Sequence, residues 1–325
     1  MGPTSIVQLS AMLQEEWRRI PVDILHKLVE SMTDRMAAVI ATRGSKMNNA
    51  ILYSNHNSLQ TAMARKVLSE YMDKLSWQPG DRILDVGCGN GNITVEELLP
   101  RVPGDFEVLA GMDISHTMLE FASSKYKHPK IKFIQADLAA EIPAESELRT
   151  PGFDKIFSSY CLNWIPDQRQ AVRNIYNMLR PGGEAVLLIS SWTPAYSAYE
   201  VQSKKSEWKQ YLKDAYKFIT PLQKSKDAAG DFYKILQDAG FEIINCYTEK
   251  VQHDYNTARC FKDSVKAYNP FIDKIPEDQQ EDYMLDLLLE MTKIKHVETG
   301  NIDEKVTILR QEILVAYVKK YKKSH

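Results

Sequence analysis

Three glycines that alternate with other residues constrain this chain most. The stretch Ile83-Leu84-Asp85-Val86-Gly87-Cys88-Gly89-Asn90-Gly91 joins an apolar run to a glycine-rich turn. We interpret residues 82–86 as a β-strand. Because glycine lacks a Cβ atom and adopts positive φ readily, a ligand can lie directly against such a turn. A helix that begins near Asn92 would direct its free N–H groups at the same ligand. The stretch therefore indicates a binding turn for a small polar cofactor.

Three kinds of cofactor loop begin with a strand and a glycine turn. A phosphate loop needs Lys-Ser or Lys-Thr after the last glycine, and Asn92-Ile93 stands there instead, which excludes that loop. The dinucleotide fingerprint has a glycine at the position of Asn92, so it is disfavoured. The third kind binds S-adenosylmethionine, and Asp85–Gly91 resembles the first motif of the class I methyltransferases. A glycine turn without a ligand is the remaining alternative.

Two further acids follow the next predicted strands. Asp113 lies beyond Gly91 by about the separation at which doubly wound folds place an acid for ribose hydroxyls. Its alternative role is to cap a helix that starts near Ser115. Asp137 either accepts a hydrogen bond from an adenine amino group or forms a surface turn. The residues predicted to bind the cofactor are Asp85, Gly87, Cys88, Gly89, Gly91, Asp113, Ile114, Asp137 and Leu138.

Strands and helices alternate along the middle of the chain. This order predicts an α/β fold with a doubly wound, mostly parallel sheet, and a ligand at the carboxyl ends of the strands. The pattern in the C-terminal half is less regular. It predicts a helix over Tyr199–Phe218 and a closing edge strand over Ile313–Val318, and most aromatic residues after the fifth strand are expected in the core. The first five predicted strands are residues 82–86, 108–112, 131–135, 153–159 and 184–190.

Composition limits the binding partners and the cellular location that we expect for the protein. The chain has 325 residues and a net charge of -2, which gives no reason to expect nucleic acid as a partner. The four cysteines show no metal-ligand spacing, so we expect no metal site and reduced thiols in the cytosol. The N-terminus lacks the apolar core of a signal peptide, and every apolar string is too short for a membrane span. A soluble, cytoplasmic protein is therefore expected.

The first 46 residues stand apart from the rest. Their apolar residues recur at helical spacing, which predicts a short helical extension. The segments Leu13–Pro21, Lys27–Met32 and Arg35–Ile40 resemble the C-terminal tail of Tc1/mariner-type transposases. The catalytic and DNA-binding parts of that family have no counterpart here. A fused fragment, an error in the placement of the gene's 5′ end, or an ordinary helical extension would each explain this segment.

From Met47 onward the chain resembles the insect juvenile hormone acid methyltransferases. The resemblance rests on the following segments: Met47–Tyr53, Asn57–Gln60, Asp85–Gly91, Asp113–Ser115, Tyr160–Trp164, Asn174–Leu179 and Asn269–Phe271. It implies methylation of farnesoic acid or juvenile hormone acid by S-adenosylmethionine, in juvenile hormone biosynthesis. It also implies that residues 47–325 form the methyltransferase domain, with a helical substrate cap mainly within residues 192–305.

The same resemblance implies that Gln60 and Trp164 position the carboxylate of a small apolar acid. Without it, a helix-terminus glutamine and a core tryptophan would be the simpler interpretations of these residues. One departure is Asn163, where members of the family usually carry His. Two other functions stay open at this stage. One is methylation of another small acid or hydroxyl compound, and the other is a non-catalytic role as a cofactor-binding or interaction protein.

Overall fold

The computed structural model describes residues 50–294, 297–298 and 307–321. The helical extension predicted within residues 1–46 lies outside these ranges, as do Met47–Asn49 and most of residues 295–306. Within the described residues, no helix is long and apolar enough to cross a membrane.

One sheet forms the centre of the described part of the chain. Its strands are β1 Arg82–Val86, β2 Val108–Asp113, β3 Ile131–Gln135, β4 Phe153–Ser159, β5 Leu179–Trp192, β6 Phe241–Tyr255, β7 Val297–Glu298 and β8 Thr307–Lys320. The strand order is β3-β2-β1-β4-β5-β8-β6, and the short β7 pairs with β8. The strands β1 to β5 pair in parallel, whereas β8 runs antiparallel to both of its neighbours, β5 and β6. The predicted fold class is therefore confirmed.

Helices connect the strands. Their bounds are α1 Ala50–His56, α2 Ser58–Tyr71, α3 His116–Lys125, α4 Gln168–Met178, α5 Pro194–Gln202, α6 Ala228–Asp238, α7 Ala258–Tyr268 and α8 Gln280–Lys293. Side-chain oxygens of Ser115, Asp167, Asp227 and Thr257 accept hydrogen bonds from the first turns of α3, α4, α6 and α7. Such N-caps fix where a helix begins, because they satisfy N–H groups that have no partner within the helix.

The strand predicted at Ile313–Val318 lies inside the sheet, so its prediction as an edge strand was wrong. It is the central part of β8, which pairs with β5 on one side and β6 on the other. Its side chains are buried throughout, whereas β6 has many half-buried side chains and forms the edge. An apolar run without alternation is typical of a strand covered on both faces. The run could have indicated the interior position.

The long helix predicted over Tyr199–Phe218 was also wrong. The structure has α5 instead, which begins at Pro194 and ends at Gln202, followed by turns and a short 3₁₀ helix at Ala215–Phe218. Proline is favoured in the first helical turn because it has no N–H group that needs a partner there. Beyond α5, Lys205 forms ion pairs with two acids of α8. These tertiary contacts hold the chain in turns despite its helical periodicity.

Three large apolar clusters form most of the core of the described residues, and a fourth, smaller one surrounds Ala50 and Tyr53 of α1. One lies between the sheet and the helices α4 and α6, and the second packs α2 against the other face of the sheet. The third is aromatic and joins α5, α7 and α8. Within it, Phe271 is fully buried, with its ring 5.1 Å from that of Tyr199 and 5.2 Å from that of Phe218. Most of the aromatic residues after the fifth strand are therefore core residues, as predicted. The role of residues 192–305 as a substrate cap stays a prediction.

Candidate active site

The glycine turn follows β1 at the carboxyl edge of the parallel strands. Gly87, Gly89 and Gly91 all have positive φ, at 77°, 53° and 77°. Residues with a Cβ atom reach this region only at a cost in free energy, so the backbone favours glycine at each of the three positions. The strand and the tight turn predicted from the sequence are both present.

The space around the glycines divides them into two kinds. A Cβ atom on Gly87 would overlap the side chain of Cys161, and one on Gly91 would lie 3.0 Å from side chains of α3 and β3. At these two positions, neighbouring side chains of the protein leave no room for a ligand to approach the backbone. Among the described residues, a Cβ atom on Gly89 would meet only Tyr53 Cε1, at 4.0 Å. Gly89 is thus the glycine at which a ligand can approach the backbone.

Hydrogen bonds attach the turn to the end of β2. The carbonyl oxygen of Met112 accepts from the N–H groups of Gly87 and Cys88, at 2.7 and 3.0 Å. The N–H group of Gly89 donates to Asp113 Oδ2 at 2.9 Å. The side chain of Cys88 is buried, and burial raises the pKa of its thiol. We therefore expect only the backbone of Cys88 to meet a cofactor.

Asp113 supports both the turn and the next helix. Its Oδ1 atom accepts from the N–H group of Ser115 at 2.8 Å. The N-cap of α3 is Ser115 itself, whose hydroxyl oxygen accepts from the N–H group of Met118. The capping role proposed for Asp113 therefore belongs to Ser115, and the ribose role of Asp113 stays a prediction.

Ile114, Asp137 and Leu138 also lie just beyond the carboxyl ends of β2 and β3. The side chain of Asp137 accepts from a backbone N–H group two residues further on, at 2.8 Å, and so closes a local turn. The carbonyl oxygen of Leu138 accepts from Asn174 Nδ2 at 2.8 Å. The carbonyl oxygen of Ile114 accepts from a glutamine at the end of β3, at 3.1 Å. Their roles toward adenine and ribose stay predictions.

Asp85 is a buried acid at the end of β1. Its Oδ2 atom accepts from the hydroxyl of Thr94 at 2.6 Å. Burial raises the pKa of Asp85 to about 6, although the Thr94 hydrogen bond lowers it, and the nearby charge of Asp113 adds to the rise. Thr94 belongs to the π-helical segment Ile93–Leu98, which is the short helix predicted near Asn92. One N–H group at its start, that of Asn92, is already bonded to a side chain of the turn.

Gln60 and Trp164 line one cavity beside the turn. They come from α2 and from the 3₁₀ turn after β4, and the cavity between them measures about 30 Å³. Both side chains are buried, and Gln60 Oε1 has no hydrogen-bond donor among the described residues. Tyr53 lines the same cavity and also lies over Gly89, so the cavity and the glycine turn adjoin. The structure thus brings together two residues that are far apart in the sequence.

Asn163 forms hydrogen bonds with several residues that line this cavity. With its amide oxygen toward the aromatic residues, Asn163 accepts from Tyr196 OH at 3.2 Å and from Trp164 Nε1 at 3.1 Å. In the same orientation its amide nitrogen donates to the carbonyl oxygen of Tyr160 at 3.1 Å. The rings of Trp164 and Tyr196 pack edge to face, 6.1 Å apart. The indole N–H group predicted to meet a substrate is therefore held by Asn163.

Tyr160 has an unusual backbone for a residue of its size. Its φ is +56°, in the left-handed region that residues other than glycine rarely adopt. The N–H group of Tyr160 donates to Leu188 O at 2.8 Å, and its hydroxyl accepts from Gln311 Nε2 at 3.1 Å. These bonds hold the ring in the cavity wall despite the strain, which is typical of residues at functional sites.

Several cavity residues were not predicted as site residues. They are Tyr53, Tyr160, Asn163, Tyr196, Tyr268 and Gln311. Burial raises the pKa of each of the four tyrosines, so their hydroxyls stay neutral at neutral pH. Tyr53, Tyr160 and Asn163 lie in segments that carried the family resemblance, and Tyr196 belongs to the aromatic residues after the fifth strand, most of which were expected in the core. Tyr268 and Gln311 had no signal in the sequence.

A larger cavity, of about 460 Å³, lies beyond Gln311. It is formed by the end of β5, the short helix at Pro221–Lys224 and the facing parts of β6 and β8. Its walls include the charged side chains of Lys250, Arg310 and Glu312. Because Gln311 lines both cavities, they share one wall.

The fold and the glycine turn define a class of protein, the class I methyltransferases, which take the methyl group from S-adenosylmethionine. Residues 83–183 match the family model described as a methyltransferase domain. A solved structure from Bacillus halodurans, assigned as a methyltransferase, has 17% identity and a TM-score of 0.51, and the match covers 78% of this chain and 98% of that one. The structural similarity concerns the fold alone. S-adenosylmethionine, the cofactor predicted from the sequence, is the cofactor of this class.

Two relatives identify the family more closely. The juvenile hormone acid O-methyltransferase of Bombyx mori is 33% identical over 84% of this chain and 98% of its own length. That of Drosophila melanogaster is 31% identical over 84% of this chain and 93% of its own length. The chain therefore belongs to the juvenile hormone acid O-methyltransferase family and is a methyltransferase.

Proposed function

We propose that the protein methylates the carboxylate of a small apolar acid, with farnesoic acid or juvenile hormone acid as the acceptor. The observation that carries this proposal is that Gln60 and Trp164 line one cavity beside the glycine turn. The relatives named after juvenile hormone acid support the same acceptor. The product would be the methyl ester of that acid.

The chemistry needs positioning more than proton transfer. A carboxylic acid with a pKa near about 4.5 is ionised at neutral pH, so its oxygen attacks without a general base. S-adenosylmethionine supplies an electrophilic methyl group, and the electron pair of the broken carbon–sulfur bond stays on sulfur. The protein has to hold one carboxylate oxygen in line with that bond. Proximity and orientation then supply much of the rate acceleration.

Gln60 and Trp164 are the donors proposed to hold the other carboxylate oxygen. Gln60 is buried and lines the cavity, and its Nε2 group is the donor proposed to meet the carboxylate. The indole N–H group of Trp164 has a neutral partner, the amide oxygen of Asn163. Hydrogen bonds to ionised acceptors are roughly twice as strong as those between neutral groups. A carboxylate in the cavity would therefore compete well with Asn163 for the indole hydrogen.

The size of the cavity decides which part of the acid it can receive. A volume of about 30 Å³ is far too small for a fifteen-carbon tail, so only the carboxyl end of a terpenoid would fit. Burial of a fifteen-carbon tail would contribute up to about 10 kcal/mol, at ~0.8 kcal/mol for each methylene group. The larger cavity has charged walls, which do not suit such a tail. We therefore expect the aromatic walls around Tyr196 and Tyr268 to separate when the tail binds.

One observation favours a second candidate. Hydroxyl and amide groups contribute a part of the cavity wall, including those of Tyr160, Ser190, Thr193 and Gln311. Such a lining also suits a shorter and more polar acid. A panel of acids that differ in length and polarity separates the two candidates, because only a terpenoid-specific enzyme loses rate when the tail is shortened.

The test is transfer of radiolabelled methyl from S-adenosylmethionine to farnesoic acid by the full chain. We expect a labelled methyl ester from the wild type and a strongly reduced yield from Gln60→Leu. The matched control is Gln237→Leu, because Gln237 is exposed on α6. Equal yields from Gln60→Leu and the control would refute the role of Gln60. Transfer only to short polar acids would favour the second candidate.

A further inference from the structure

Two buried asparagines, one near the glycine turn and one within it, have unpaired donor groups. Asn57 is 6% exposed and Asn90 is 0% exposed. In both, the amide nitrogen has no hydrogen-bond acceptor among the described residues, whereas the amide oxygen is paired. Gln60 and Trp164 have assigned roles in the proposed reaction, but these two amides have none so far.

The orientation of the Asn57 amide is set by its partner. Asn57 stands at the N-cap position of α2, but its side chain makes no capping bond. Its Oδ1 atom accepts from the hydroxyl of Thr61 at 3.4 Å. That hydroxyl in turn accepts from Asn92 Nδ2 at 3.3 Å, so its own hydrogen is free to point at Asn57. The Nδ2 group of Asn57 consequently faces away from this chain of bonds.

The orientation of the Asn90 amide is set in the same way. Asn90 lies between the second and third glycines of the turn. Its Oδ1 atom accepts from the backbone N–H group of Asn92 at 3.3 Å. Because a backbone N–H group can only donate, the oxygen must face it and Nδ2 must point elsewhere. Asn92 therefore links both asparagines in one network that fixes two oxygens and leaves two donors unpaired.

Buried donors without a partner require a hydrogen-bond acceptor. Native proteins leave few buried polar groups without a partner, since each one costs the free energy of its lost hydration. Two such donors in one network, beside a cofactor turn, indicate that a ligand supplies the acceptor. Charged oxygens form the stronger hydrogen bonds with N–H groups, so an anionic group is the best match.

We propose that Asn57 and Asn90 together hold the carboxylate at the amino-acid end of S-adenosylmethionine. This inference rests on the cofactor named in the proposed function. The acids of the turn, Asp85 and Asp113, would repel a carboxylate and attract the neighbouring ammonium group, which leaves the two amides as donors for the carboxylate. A substrate carboxylate is the other source of the same chemistry. Neither asparagine lines the cavity of Gln60 and Trp164, which favours the cofactor.

The test is titration calorimetry of the full chain with two ligands. One is S-adenosylmethionine, and the other is its decarboxylated analogue, which lacks only the carboxylate. The variants Asn57→Asp and Asn90→Asp keep the shape and the accepting oxygen but replace the donor by a second acceptor. The matched control is Asn245→Asp, because Asn245 Nδ2 already donates to Tyr71 OH. Asn57→Ala and Asn90→Ala repeat the measurement without a new charge.

We expect Asn57→Asp and Asn90→Asp each to bind S-adenosylmethionine about 10- to 150-fold more weakly, which is the usual effect of losing a hydrogen bond to a charged group. The affinity of each variant for the decarboxylated analogue should stay within about threefold of the wild-type value. The control variant should keep its affinities for both ligands within the same range. Equal weakening of both ligands would indicate a merely structural role and would overturn the proposal. So would unchanged binding of both ligands.

Two further outcomes separate the possible sources of the carboxylate. If the variants keep their preference for S-adenosylmethionine but bind farnesoic acid more weakly in the presence of S-adenosylhomocysteine, the donors serve the substrate and the proposal is wrong. The second outcome is that the substitutions remove the preference for S-adenosylmethionine over its decarboxylated analogue while the wild type methylates no acid. That result would support the carboxylate site at the two asparagines and refute the proposed acceptor acid.

Discussion

Replacement of Asp85 by Asn should stabilise the protein at neutral pH while weakening cofactor binding. Asp85 is 2% exposed, and burial raises its pKa from the ordinary 3.8 to about 6. An asparagine has nearly the same shape, and its oxygen can still accept from Thr94 Oγ1. In the protein without cofactor, the substitution therefore removes the cost of a buried charge and changes little else.

The size of the effect follows from the pKa rise. A shift from 3.8 to about 6 corresponds to about 3 kcal/mol, at 1.36 kcal/mol for each pH unit. Because the folded pKa is the higher one, the folded protein keeps a proton that the unfolded chain has lost. The stability that comes from this proton is fully present below about pH 3.8 and is lost as the pH rises to about 6. About 2 kcal/mol of the change falls between about pH 4.5 and 7.5.

Denaturant unfolding of the wild type and Asp85→Asn across this pH range measures the effect. The variant should gain about 2 kcal/mol relative to the wild type as the pH rises, whereas the control Asp73→Asn, at an exposed position, should not. The cofactor is cationic at sulfur and at its ammonium group, so its affinity for the wild type should fall below about pH 6 and should fall less in the variant. A difference in stability that stays constant with pH would refute the reasoning.

Three other substitutions test the site. Gly89→Arg should abolish S-adenosylmethionine binding in calorimetry with little loss of fold, because Tyr53 alone of the described residues lies near this position, and unchanged affinity would contradict the role of the turn. Gly87→Ala should lower the melting temperature, since its Cβ atom would overlap Cys161; an unchanged value would be unexpected. Trp164→Phe should slow turnover about 10- to 150-fold through loss of a donor to a charged group, with the circular dichroism spectrum preserved. Equal turnover would exclude that donor role.

The glycine turn could be predicted from the sequence because its causes are local. Positive φ at three alternating positions is a property of the backbone, and glycine reports it directly. The strands β1, β3 and β4 were likewise predicted to the residue, because short apolar runs between turn signals mark buried strands. For β5 the predicted strand, residues 184–190, was shorter than the one observed. Its carboxyl end at Trp192 is set by pairing with β8, which lies far away in the sequence.

The walls of the cavity were harder to predict because they are assembled from distant segments. Gln311 reaches Tyr160 from β8, and Tyr268 comes from the end of α7. Neither carries a local pattern that distinguishes it from a core residue. Gln60 and Trp164 were found only through the family resemblance. The structure adds that they meet at one cavity, but their roles toward a substrate stay predictions.

Part of the resemblance has a structural explanation. In the segment Asn269-Pro270-Phe271, the amide oxygen of Asn269 accepts from the N–H group of Phe271, and its nitrogen donates to Tyr283 OH. The ring of Phe271 fills the aromatic core between α5 and the short helix that follows it. This segment therefore marks the family through its packing, whereas the Tyr160–Trp164 segment marks it at the cavity.

The central claim is that the cavity beside the glycine turn presents a carboxylate to the methyl group of S-adenosylmethionine. Incubation of the full chain with farnesoic acid and S-adenosylmethionine, followed by mass spectrometry, tests it most directly. The account predicts methyl farnesoate, in a yield that falls strongly with Gln60→Leu and Trp164→Phe. Binding of S-adenosylmethionine without formation of a methyl ester from farnesoic acid, juvenile hormone acid or any shorter acid would contradict it.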